Sequence, residues 1–344
     1  MTGSSFDVDV IVAGGGPVGL AAAIEARLAG LSVAVVEPRA GEIDKACGEG
    51  LMPGAVPMLA RLGVDPVGMP LRGVSYRSGT HRADHRFVAG EGRGVRRTTL
   101  HAALAARATE LGVERRVAKV DHVTQDTAGV DAAGLRGRWL FGCDGLHSRV
   151  RREIGVELPP GRRGRRYGVR QHFQVAPWTD LIEVHWDRRV EAYVTPVADD
   201  TVGIALLGRP GIDFAAELAA IPALAFLGEA PPASTLRGAG ALRQRTSRRH
   251  VGRVLLVGDA SGYVDAITGE GLRLGFAQAA AAVDAVVHGL PGGYEEAWKA
   301  ISRDFRVLTT GLVGLASSPL RRAIVPLARA LPGVYGGVVE RLAR

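Results

Sequence analysis

Cysteine is nearly absent from this chain of 344 residues: only Cys47 and Cys143 occur, and neither sits in a metal-ligand pattern. A disulfide framework and a zinc site are thereby excluded, no metal ligands are expected, and a reducing cytoplasm fits best. Aromatic residues make up only 5% of the sequence, so no stacking platform is interleaved with its basic residues. With no nucleic-acid motif present, nucleic acid is not the expected partner. No apolar run approaches the ~18 residues of a membrane span, and the N-terminus lacks a secretory pattern. The expectation is a protein neither secreted nor spanning a membrane.

Acidic residues are the minority charge, 35 against 43 lysines and arginines, for a net charge of +8. The excess is arginine, with runs at Arg162, Arg163, Arg165, Arg166 and at Arg248, Arg249. Such a balance suits an anionic membrane surface, a phosphorylated ligand or simply a solvated basic face. At 47% hydrophobic residues the chain can bury one large core or two smaller ones.

What is present begins at residues 8–13, a short apolar run followed by Gly14-Gly15-Gly16-Pro17-Val18-Gly19 and an alanine-rich stretch, residues 20–29, that reads as a helix. A second apolar run, residues 33–36, ends in Glu37. Strand, glycine turn, helix, strand and acid form the context in which G-x-G-x-x-G signifies dinucleotide binding. Gly14 makes the tight turn, Gly16 admits the pyrophosphate, and Gly19 lets helix pack on strand. Pro17 and Val18 open the helix whose N-terminal N–H groups face the phosphates. Glu37 can accept from ribose hydroxyls, with Arg39 beside it. Whether the dinucleotide is NAD or FAD this motif alone leaves open.

The rest of the chain reads as α/β with an α+β substrate domain. Residues 71–78 and 82–88 form a hairpin around Ser78-Gly79-Thr80, a helix covers 100–111, and 139–143 is a buried strand. Runs at 167–175, 181–186, 190–197 and 201–207 predict an antiparallel sheet. Residues 254–257 return to a parallel-type strand, 271–288 are helical, and Pro291-Gly292-Gly293 stops that helix. This predicts a discontinuous Rossmann-like cofactor domain with a parallel sheet (1–70, 96–160 and 248–290). A sheet domain for substrate is inserted (71–95 and 161–247), and a helical segment closes the chain (291–344). Residues 320–331 and 334–342 read as cationic helices that lie on a membrane, cover a lipid-like substrate or pack on their own domain.

Three segments carry a resemblance: Asp44-Lys45-Ala46-Cys47-Gly48-Glu49-Gly50-Leu51, Gly142-Cys143-Asp144-Gly145 and Gly258-Asp259-Ala260-Ser261-Gly262 through Thr268-Gly269-Glu270-Gly271. Over about the first 290 residues the chain resembles FAD-dependent enzymes of the p-hydroxybenzoate hydroxylase and geranylgeranyl reductase superfamily. Its whole length looks most like actinobacterial flavoprotein monooxygenases associated with type III polyketide and alkylresorcinol phenols. The resemblance implies bound FAD and NADPH or NADH as a transient reductant. It places Asp259 on a ribityl hydroxyl, Gly269, Gly271 and Leu272 at the flavin's pyrimidine edge, and Arg97 on pyrophosphate or ribose. It also places Val120 against adenine, Asp144 in a fingerprint for both nucleotides, and Cys47 near the flavin ring. A turn aspartate for Asp144 and a helix cap for Asp259 are the structural alternatives.

The function so implied is hydroxylation of a phenolic or polyketide-derived aromatic through C4a-hydroperoxyflavin. The alternatives are alkene reduction of a prenyl-like chain and a non-catalytic FAD-binding partner protein. The chain lacks the tryptophan segment of the halogenases. Strand alternation puts Arg170, His172 and Gln174 on one face, Glu183 and His185 on another, and Glu191, Tyr193 and Thr195 on a third. A histidine or tyrosine there can deprotonate a phenol, so the catalytic candidates are Cys47, His172, His185 and Tyr193. A core-satisfied histidine and a small buried cysteine are the other readings of these residues. Oligomeric state is not legible.

Overall fold

A computed structural model describes residues 6–159 and 165–344, which leaves Arg162 and Arg163 of the first arginine run outside the described residues. The strand Val8–Ala13 lies between Val33–Val36 and Leu135–Gly142 and runs parallel to both, in the register Val10↔Val33 and Ala13↔Gly142. Glu114–Arg116 extends the sheet beyond Val33–Val36, and Val254–Leu256 extends it beyond Leu135–Gly142, again in parallel. Strands covered on both faces need apolar side chains on both, which is why these runs do not alternate. The helices Pro17–Leu28, Arg97–Glu110 and Gly271–Val287 cover one face, where Val10, Val12, Leu20, Ile24, Leu104 and Phe276 share a core. On the other face Ile11, Ala34 and Leu140 pack with Val130 and Val120.

The second sheet has the order Arg237–Gly240, Tyr167–Gln174, Thr201–Gly208, Val190–Ala198, Ile182–Trp186, Gly73–Ser78, His81–Arg86. Its pairs are antiparallel except where Ile182–Trp186 meets Gly73–Ser78. The four strands expected between residues 167 and 207 are all present. Period-two alternation sends Val194, Ile204 and Leu206 to a core under the helix Phe214–Ala219. It sends Ile182, Val184, Tyr193, Ala205 and Leu207 to the opposite side, where they meet the C-terminal helices.

The C-terminal segment departs from the sequence reading. A 24-residue helix, Gly293–Ala316, precedes it, and residues 320–331 are not one helix but a 3-10 turn, Pro319–Ala323, followed by Ile324–Ala330. The Ser318 hydroxyl accepts from the Leu320 N–H and holds the tight turn. Leu331, set before Pro332, takes an extended φ and ends the helix, and Pro332–Ala343 starts with the proline in its first turn. Among the described residues no helix is long and apolar enough to cross a membrane.

Candidate functional site

The glycine turn distinguishes its three glycines by what surrounds them. Gly14 has φ +104°, and a methyl group there would come within 2.6 Å of the Cys143 carbonyl oxygen. At Gly19 a methyl group would overlap the Gly14 carbonyl. At Gly16 it would meet nothing nearer than the Arg97 Nη2, 3.8 Å away, so that glycine borders open space. Pro17 follows at the first helical position, and Val18 lies under Gly258 and Gly275. His101, which the sequence reading missed, supports the turn from below: its Nε2 lies 3.0 Å from the Gly15 carbonyl oxygen.

Glu37 accepts from the Gly15 N–H (2.9 Å) and from Arg39 Nε (2.6 Å). Burial pushes its carboxyl up, but these bonds outweigh burial and hold it below the ordinary value. Val120 sits beyond Glu114–Arg116, buried with Ala34 and Val36. Asp144 accepts from the N–H groups of Arg149 (2.6 Å) and Val150 (3.0 Å) through Oδ2, which the turn-aspartate alternative accounts for. Its Oδ1 is buried without a partner. Arg97 Nε is likewise buried and unpartnered. Burial, with Arg39 and Arg97 close by, lowers the Lys45 amine from its ordinary value. Burial raises the Asp259 carboxyl against the pull of Arg97 and Lys45.

An uncovered glycine, orphaned groups on Arg97 and Asp144, and three crowded cations describe a cleft shaped for a dianion with hydroxyls. A flavin adenine dinucleotide fits that donor set. Gly269 (φ +73°), Gly271 and Leu272 form the start of the helix beside it.

The cleft opens into a cavity of about 230 Å³ lined by Cys47, Glu49, Tyr76, Tyr193, Thr195 and Val339, among others. Gly269, Gly271, Leu272, Arg97 and Asp259 line it too, so these residues of the cleft and the antiparallel sheet share one space. The loop carrying Cys47 is pinned to that sheet. Arg170 pairs with Asp44, Thr195 Oγ1 donates to the Gly48 carbonyl (2.8 Å), and His172 meets Glu49.

Of the four catalytic candidates, Cys47 and Tyr193 line the cavity, and His172 and His185 do not. Tyr193 donates its hydroxyl to the Ile267 carbonyl (2.8 Å), and burial raises its pKa well above the ordinary value. His172 stands behind Glu49, its Nε2 2.5 Å from Oε2. Because Nε2 faces a carboxylate oxygen, which only accepts, it carries the proton toward Glu49; Nδ1 lies 2.8 Å from Ser234 Oγ and 3.2 Å from Arg170 Nη1. His185 is buried against Glu183 (2.9 Å), and alternation turns that pair away while Ile182 and Val184 face the cavity.

Among the cavity residues that sequence reasoning left without a role are Glu49 and Tyr76. Glu49 has φ +59°, rare for a non-glycine residue, and its Oε1 accepts from the Arg97 N–H at 2.8 Å, capping that helix. Tyr76 is held edge-on to Trp186 (5.2 Å) and tilted against Tyr335 (4.9 Å), and its hydroxyl makes no hydrogen bond among the described residues. The signal for Glu49 was its place inside the Cys47 loop. Nothing in the strand pattern singled out Tyr76.

A family model described as FAD binding domain matches residues 7–203. Over 312 residues the chain is 31% identical to a rifampicin monooxygenase of Streptomyces venezuelae, covering 79% of this chain and 62% of that protein. It is 27% identical to a menaquinone reductase of Mycolicibacterium smegmatis, covering 86% and 80%. A solved flavoprotein/dehydrogenase structure from Cytophaga hutchinsonii superimposes with a TM-score of 0.80 at 19% identity, over 89% of this chain and 86% of that one. The chain spans about six-tenths of the length of the first two curated relatives it matches, 62% and 63%.

Proposed function

The chain belongs to the FAD binding domain family, and from that membership we propose that it is an NAD(P)H-dependent FAD monooxygenase. Its substrate in this reading is a phenolic or polyketide-derived aromatic held in the cavity. The observation that carries the reading is the continuity of the cofactor cleft with an apolar cavity whose wall includes an unpaired tyrosine hydroxyl. Bound FAD, once reduced by NAD(P)H, supplies the activation of dioxygen.

The chain's own residues supply the rest. Lys45, Arg39 and Arg97 would hold the pyrophosphate, Gly16 would leave room for it, Glu37 and Asp259 would accept from hydroxyls, and Val120 would serve the adenine. Gly269, Gly271 and Leu272 would border the ring, and Asp144 orders the turn from Cys143 to Val150. Among the described residues Arg97 is the only basic one in the cavity wall. A carboxylate buried among Ile182, Val184, Leu207 and Val339 would therefore lack a counter-ion, and the buried part of the substrate is uncharged. Tyr76 donates to the substrate oxygen, since burial pushes its phenol far above the ordinary value and keeps it protonated. Glu49, backed by the Nε2–H of His172, accepts the proton of the substrate hydroxyl, which raises the ring's nucleophilicity.

A second reading, reduction of an alkene by the same cofactor, is favoured by the likeness to a menaquinone reductase along 80% of that protein's length. Anaerobic reduction by NADPH or NADH, with and without a long-chain resorcinol, followed by oxygen and mass analysis separates the two. Faster flavin reduction with the phenol and a mass gain of one oxygen establishes the hydroxylase. A reduced flavin inert toward phenols that saturates a prenyl chain establishes the reductase.

A further inference from the structure

Among the described residues large apolar side chains stand exposed at fifteen positions, and six of them, Val307, Leu315, Leu320, Leu327, Leu331 and Val334, fall between residues 307 and 334. That concentration is not a chance scatter of single residues, which would need no explanation. The same segment is free of acid: between Asp304 and Glu340 no aspartate or glutamate occurs, while Arg306, Arg321, Arg322 and Arg329 do. Two of these arginines are used internally. Arg306 lies over the Trp298 ring (5.3 Å), and Arg321 pairs with Glu191. Arg322 and Arg329 are exposed, and among the described residues neither has a carboxylate partner, in a protein that pairs most of its arginines.

We propose that this face, from the end of the helix Gly293–Ala316 through Ile324–Ala330 to the start of Pro332–Ala343, docks on an anionic lipid bilayer. Leucines enter the headgroup boundary, and Arg322 and Arg329 meet lipid phosphates. Exposed apolar side chains joined to unpaired cations are the two attractions that hold a peripheral element on such a surface, one by burial and one by charge. A second copy of this chain suits the face less well, because a two-fold contact would bring Arg322 and Arg329 toward their own copies with no acid in the segment to offset them. The inner sides of these elements reach the cavity wall. Ile324, Val325 and Tyr335 pack in the cluster that contains Val184 and Tyr193, and Val339 and Leu342 line the cavity itself. The docking is independent of which reaction the cavity hosts.

Vesicle flotation of the FAD-loaded protein tests this, using phosphatidylcholine vesicles with and without one-third phosphatidylglycerol. Wild type should float with the anionic vesicles and not with the neutral ones. Arg322→Ala with Arg329→Ala should weaken the association about 30-fold, about 5-fold for each charge. Leu327→Glu with Leu331→Glu should abolish it, with flavin content and melting temperature as checks that the exposed substitutions leave the fold intact. No flotation of wild type, or flotation unchanged by both double variants, overturns the proposal. So does a wild-type dimer in light scattering that the leucine variant converts to monomer, since that assigns the face to a second copy.

Discussion

Gly16 and Gly19 occupy equivalent-looking places in one motif, yet a methyl group means something different at each. At Gly19 it would strike backbone of the same turn, so Gly19→Ala should lower the melting temperature of the folded chain. At Gly16 it would enter open space, which the proposed function gives to the pyrophosphate, so Gly16→Val should fold normally and lose bound flavin at least tenfold, read from the visible spectrum of the purified protein. Tyr76→Phe keeps the packing on Trp186 and Tyr335 and removes only the hydroxyl. A fall of about tenfold in kcat/KM with little change in melting temperature is expected, the size of one lost hydrogen bond. A larger stability loss than activity loss would show that the hydroxyl serves the fold. The glycines were legible because their constraint is local in sequence. Glu49 and Tyr76 were not, because their roles arise from contacts more than a hundred residues away, with His172 for the first and Trp186 for the second.

Glu270 makes a prediction about acidity. It precedes the helix Gly271–Val287 in a buried position, 1% exposed, without bonding the helix's N–H groups, and burial raises its pKa to about 7 despite its bond to Arg273 (2.5 Å). A folded carboxyl with a raised pKa binds its proton more tightly than the unfolded chain does. Its contribution is therefore full below about pH 4.5 and is lost as pH rises to about 7, on the order of 3 kcal/mol in all. Glu270→Gln should flatten the decline in denaturant stability across that window; an unchanged slope would refute the assignment.

At the scale of elements, the helix Pro332–Ala343 forms one wall of the cavity and is held by few groups. Glu340 accepts from the Val88 N–H (2.9 Å) and meets His85 Nε2 (2.8 Å), and the Tyr335 hydroxyl donates to the Val74 carbonyl (3.1 Å). Glu340→Ala should loosen this wall without touching the cofactor cleft. Substrate KM should rise severalfold and NAD(P)H should be consumed without matching product, measured as the ratio of the two rates. The long strands were legible from alternation and length, as with Tyr167–Gln174 and Val190–Ala198. Gly50–Leu51, Met69–Leu71 and Gly92–Gly94, which form a small sheet of their own, are two or three residues long and carry no periodicity to read. Alternation also shows which residues share a face but not which face looks inward. Both faces of Ile182–Trp186 are buried, so His185 and Val184 looked equally eligible.

For the whole molecule, the parallel sheet could be anticipated because each strand of the nucleotide motif announces itself. The mutual placement of the two sheets could not, since it depends on side chains such as Arg170 and Arg166 that join distant segments. Arg166 bonds both Glu191 (2.5 Å) and Asp265 (2.9 Å), tying the sheet to the loop that leads into the helix Gly271–Val287. The strand Val254–Leu256 pairs with Leu135–Gly142 across more than a hundred residues, and it delivers Asp259 to the cleft. On a ribosome adding roughly 5–20 residues each second, the first half of the sheet waits about 6–20 s for that strand to be made. The nucleotide cleft is thus completed only after the inserted sheet has been made, and before the helices from Gly293 onward.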